Sequence, residues 1–105
     1  MALVVVDAEN VRRSQWPNLT RGQLVARART WAAREGHELL VVFDGAPPED
    51  APDLVGSPYA DDEITTLVES ARRPVWVVTS DRELRRRVEE CAERIVGGGS
   101  FLQTI

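Results

Sequence analysis

The chain has 105 residues, 43% apolar and 29% charged, with a net charge of −4 and one cysteine. These values describe one ordinary globular domain able to bury a core without disulfides or structural zinc, and they exclude a disordered, fibrous or thiolate-metal protein. The acidic balance excludes a protein that coats nucleic acid by bulk charge, and no apolar run approaches the roughly 18 residues that would span a bilayer.

Strand-like and helix-like segments alternate along the chain, the pattern of an α/β sandwich around a mostly parallel sheet. Leu3 to Val6 reads as the first strand. Residues 7 to 20 read as a loop containing Trp16-Pro17, and Thr20 with Gln23 forms a capping box for a helix. That helix places Leu24, Ala28, Trp31 and Ala32 on one face and stops near Gly36. Leu39 to Phe43 is the second strand. The segment 44 to 59 holds four of the six prolines and reads as a loop.

Residues 60 to 71 form the next helix, with Ile64, Leu67, Val68 and Ala71 inward and Asp61, Asp62 and Glu63 in the first turn, where acids suit the helix dipole. Val75 to Val78 is the third strand. Ser80 is the expected cap of a helix running to about Cys91. Arg94 to Val96 is a short fourth strand ended by Gly97, Gly98 and Gly99, and the final FLQTI is left unassigned. Trp31, Trp76 and Cys91 read as packing residues.

Four short signals stand out: VVVDAEN, VVFDG, YADDEI and VVTSD. Asp7, Asp44 and Asp81 each follow an apolar, β-branched run, so all three sit just past a strand's carboxyl end, where open α/β sheets hold their ligands. Carboxylates gathered there repel one another, and a bound hard cation is the simplest stabilising partner. Oxygen donors without nearby His or Cys select Mg²⁺ or Mn²⁺ over zinc or copper, and the one histidine, His37, precedes the second strand. Ser80 has no histidine to activate it, and no GxxxxGK[ST] or GxGxxG loop occurs. The chemistry left to such a crevice is metal-assisted attack of water on a phosphodiester, with one ion or two.

In order and spacing these motifs resemble the NYN branch of the PIN-like nuclease domains, the YacP-like proteins in particular, over residues 3 to 99. The resemblance implies an α/β/α sandwich with Mg²⁺- or Mn²⁺-dependent endoribonuclease activity; the leading expectation is cleavage of single-stranded RNA, and the single cysteine points to the reducing cytoplasm. The resemblance makes Asp7 the central metal ligand, Asn10 its polar neighbour, and Asp61 and Asp81 the further acids. Asp62 is either a ligand, a partner of metal-bound water or a helix cap. Asp44 is either a ligand or the former of the turn before Gly45. Thr79 and Ser80 are placed to support a carboxylate or a phosphate, and Glu9 either joins the acids or faces solvent.

For the substrate, Arg82, Arg85 and Arg86 share a helix face, with Arg82 the candidate phosphate contact. The alternative is a salt-bridged surface in which Glu89 and Glu90 pair with Arg85 and Arg86. Arg12 and Arg13 follow the first motif. Trp16 either stacks on an unpaired base or, as the expectation has it, anchors its loop on the following helix. Competing readings are a non-catalytic PIN-like module that binds RNA or a ribosomal partner, and the toxin of a toxin–antitoxin pair. DNA stays open as a substrate, and a homodimer is a further expectation.

Overall fold

The computed structural model describes residues 1–105. The elements are β1 (Leu3–Asp7), α1 (Ala8–Arg12), α2 (Arg21–Glu35), β2 (Glu38–Asp44), β3 (Leu54–Ser57), α3 (Ala60–Ser70), β4 (Val75–Val78), α4 (Arg82–Val88), β5 (Arg94–Val96) and α5 (Gly98–Thr104). The strands form one sheet in the order β3-β2-β1-β4-β5, and every neighbouring pair is parallel. No helix is long and apolar enough to cross a membrane.

Central β1 is buried along its whole length because it is covered on both faces, which is why its apolar run is continuous. Its side chains still alternate. Val4 and Val6 join the layer formed with α1, α2 and α5, whereas Leu3 and Val5 join the layer formed with α3 and α4. The chain runs from β1 outward to β2 and β3, then returns to place β4 on the other side. The order therefore reverses at β1 and β4, and a crevice opens beyond their carboxyl ends.

α2 begins and ends as its sequence signals require. Thr20 Oγ1 accepts from the Gln23 amide at 3.1 Å, Gln23 Oε1 accepts from the Thr20 amide at 2.9 Å, and Gly36 closes the helix at φ 72°.

The sheet has five strands, not about four. Inside the proline-rich segment, Leu54–Ser57 pairs with β2, and the approach is held by Arg29, whose guanidinium reaches Asp53 at 2.8 and 2.9 Å and Glu49 at 3.0 Å. Close passage of the chain requires Gly56: a Cβ there would lie 2.5 Å from the Gly45 carbonyl oxygen and 2.7 Å from Pro47 Cδ.

Two further helices occupy stretches expected to be irregular. α1 follows β1 directly, and the glycine run begins α5 instead of ending the chain's regular structure. Gly98 packs where a Cβ would lie 2.2 Å from Ser14 Oγ, and Phe101 meets Trp31 edge-on with ring centroids 5.1 Å apart. α4 ends at Val88, short of the expected Cys91, so that cysteine is exposed and packs no helix. Trp31 is buried, but Trp76 is only half-buried, with the Arg94 guanidinium 4.8 Å above its ring.

Candidate active site

The ends of the three central strands deliver polar groups to the crevice. Asp7 closes β1, Asp44 closes β2, and Thr79, Ser80 and Asp81 follow β4. Asp61 arrives from the first turn of α3. Together Asp7, Asp44, Asp61 and Asp81 line a cleft of about 660 Å³ that no hydrophobic residue borders. Another hollow of about 400 Å³ lies beside His37 and Leu39 at the sheet's opposite end, where the acidic Asp53 is already paired with Arg29.

Asp7 is 5% exposed and its Oδ2 accepts from Thr79 Oγ1 at 2.9 Å. Burial pushes its carboxyl up to about 6. The Thr79 hydrogen bond opposes that rise, and the charges of Asp61, Asp44 and Asp81 add to it. Asp61 is raised as well, first by burial and then by Asp81 and Asp44, against the pull of Arg87. Acids from four segments therefore sense one another across the cleft.

Thr79 is the hub beneath them. Fully buried, it accepts from the Asp81 amide at 3.1 Å, so its own proton is free to serve Asp7 at 2.9 Å or Asn10 Oδ1 at 3.3 Å. The shorter bond to an ionised oxygen is the stronger one. Asn10 Oδ1 also accepts from the Ser80 amide at 2.8 Å, which ties α1 to the turn after β4. Asp44 Oδ1 accepts from the Ala60 amide at 3.3 Å and steadies the start of α3. No buried polar side-chain atom lacks a partner.

Several expected roles are placed differently. Asp81, not Ser80, caps α4, accepting from the Leu84 amide at 3.0 Å, while Ser80 Oγ accepts from the Gly98 amide at 2.8 Å. Asp62 points away from the cleft and pairs with Arg87 at 2.8 Å. Glu9 is buried at the cleft wall rather than turned to solvent. Burial would raise it, but the hydrogen bonds and charges of Arg12 and Arg21, both at 2.7 Å, outweigh that and hold it below the usual range.

Arg12 is thereby committed to Glu9 and to the Leu19 carbonyl at 3.1 Å, and the cation that lines the cleft is Arg13. Arg82 is exposed and outside the cleft lining. Because α4 stops early, Arg86 pairs with Glu83 and Arg87 with Asp62, and the expected bonds to Glu89 and Glu90 do not form. Trp16 is 88% exposed, so it does not anchor its loop. Ser14 and Gly99 also border the cleft. Ser14 is brought there by its contact with Gly98, and the glycine run is the one local signal in the sequence for either residue.

The donor set fits a hard divalent ion: carboxylate oxygens outnumber the single lining arginine, and Asp7, Asp44 and Asp81 each give one oxygen to the protein in the bonds above. No three acidic side chains stand close enough to share one ion as placed.

Among solved structures, the chain is similar to Rae1 (YacP) from Bacillus subtilis, solved as a point mutant, with a TM-score of 0.81 over 98% of this chain and 74% of that one. The fold is YacP-like. Sequence identity is 19%, so the likeness is one of architecture. No protein-family model matches the chain, and no curated protein matches its sequence.

Thr79→Val is expected to move the Asp7 titration midpoint above about 6, since it deletes the one hydrogen bond that favours the carboxylate. The carboxyl ¹³C shift of Asp7 followed against pH reads this directly. An unchanged midpoint would remove Thr79 from its role as the supporting hub.

Proposed function

We propose that this chain is an endoribonuclease that hydrolyses phosphodiester bonds of single-stranded RNA with the aid of Mg²⁺ or Mn²⁺ taken up among Asp7, Asp61 and Asp81, partly through bound water, with Asp44 beside them. The observation that carries this reading is the meeting of four carboxylates from four segments in one polar cleft at the sheet's switch point. The YacP-like fold supports it, as do the ordered motifs around Asp7, Asp61 and Asp81.

When bound, the ion lowers the pKa of the attacking water and stabilises charge on the phosphate. The chain's own residues do the positioning. Thr79 fixes one oxygen of Asp7, a residue that lines the cleft, and Asn10 fixes the turn that carries Ser80 and Asp81. Arg13, at the cleft wall, is the cation available to a phosphate oxygen.

Purified protein is expected to cleave an unstructured RNA with Mn²⁺ present and to stop on addition of EDTA. Failure of contaminant-free protein to cleave with either ion would end the nuclease reading. The wide spacing of the acids favours, as a second reading, a non-catalytic RNA-binding module. A calorimetric Mn²⁺ titration separates the two, since such a module has no need of the ion.

A further inference from the structure

The chain has three tryptophans, two phenylalanines and one tyrosine. Phe43, Phe101 and Trp31 are buried and Trp76 is half-buried, whereas Trp16 is 88% and Tyr59 71% exposed. The two exposed rings are not scattered. Tyr59 stands two residues before Asp61, and its neighbour Ala60 donates to Asp44. Trp16 stands two residues after Ser14, which lines the cleft and donates to the Asn10 carbonyl at 2.9 Å.

They also belong to opposite flanks. Tyr59 follows β3, the edge strand on the Asp44 side. The Trp16 loop lies against the start of α5, which follows the other edge strand: Ser14 packs on Gly98, and Gln15 Nε2 reaches the Gly99 carbonyl at 3.5 Å.

We infer that Tyr59 and Trp16 are base-stacking residues on either side of the acidic cleft, and that they select an unpaired strand. This rests on the nuclease reading and names what sets its substrate class. The cleft itself is bordered by no hydrophobic residue, so it suits a phosphate and ribose and gives a base no face to stack on. The flanking rings supply that face, and every base has a matching one. A duplex keeps its bases stacked inside and cannot use them. Two separate rings astride a polar groove differ from a protein-docking patch, which needs contiguous apolar surface around its anchors.

The test measures binding of a short unstructured oligoribonucleotide to the Asp7→Asn protein by fluorescence anisotropy. Trp16→Ala and Tyr59→Ala are each expected to weaken binding about tenfold or more. Trp16→Phe and Tyr59→Phe should restore most of the loss, because the ring, not its polar tip, carries the contact. An oligonucleotide made abasic at the flanking positions should be insensitive to both alanine changes.

Both side chains are exposed, so thermal unfolding should be unchanged and a folding defect is separable from lost stacking. Alanine variants binding within twofold of their parent, equal affinity for a duplex, or no binding by any variant would overturn the inference. The two readings fail differently. Ring-dependent binding without Mn²⁺-dependent cleavage keeps the stacking pair and removes the nuclease, whereas normal cleavage by both alanine variants does the reverse.

Discussion

Asp7→Asn is expected to end cleavage while making the metal-free protein more stable at neutral pH, by about 3 kcal/mol. Asp7 is 5% exposed, and its carboxyl sits at about 6 against an ordinary 3.8. The folded state therefore binds this proton more tightly than the unfolded chain does. Its contribution is whole below pH ~4, where Asp7 is protonated in both states, and is lost as pH rises through about 6. Asparagine stays neutral throughout and still offers an oxygen to Thr79.

Urea unfolding in EDTA should show the parent and the variant similar near pH 4 and separating to their full difference above pH ~6. Equal stability at neutral pH would mean that Asp7 is not held against its own charge. Added Mn²⁺ should stabilise the parent, by ~2.7 kcal/mol at a hundredfold excess over its Kd, and leave the variant almost unmoved. A site that costs stability until its ligand arrives is what a binding role predicts and a purely structural acid does not.

How much of this was legible in the sequence follows from which forces were local. The runs before Asp7, Asp44 and Thr79 are continuously apolar and valine-rich because their strands are covered on both faces, so their ends stand out in the sequence. β3 could not: it has four residues among prolines, and it is a strand because β2 offers it a free edge. α5 depends equally on distant chain, since three successive glycines begin a helix only where Gly98 can settle against Ser14.

The site divides in the same way. Asp61 and Asp62 are adjacent and chemically alike, yet successive helix residues point about 100° apart. Asp61 therefore lines the cleft while Asp62 meets Arg87 on α4. Ser80 and Asp81 both suit an N-cap, and the choice between them falls to Gly98, whose amide engages Ser80 and leaves the cap to Asp81. Nothing local separates an anchoring Trp16 from an exposed one.

Phe43→Ala is expected to cost about 3–5 kcal/mol, a large part of the roughly 5–15 kcal/mol that holds a domain of this size folded. Val6, Phe43 and Val78 are fully buried in one core layer, and each stands immediately before a residue of the site: Asp7 and Asp44 in the cleft lining, and Thr79 beneath it. Phe43 is the largest of the three, so truncating it opens the largest void beneath the strand ends. Its urea midpoint should fall sharply with an unchanged slope. Phe43→Leu, which keeps most of the volume, should lose much less.

The same void loosens the end of β2 that carries Asp44, and a carboxylate displaced by even 1 Å costs about a hundredfold where chemistry depends on its position. Activity measured at a temperature where Phe43→Ala is still folded should therefore drop by more than its unfolded fraction explains. A loss equal to that fraction would mean that Asp44 needs no such support, and would confine the cation's cage to Asp7, Asp61 and Asp81.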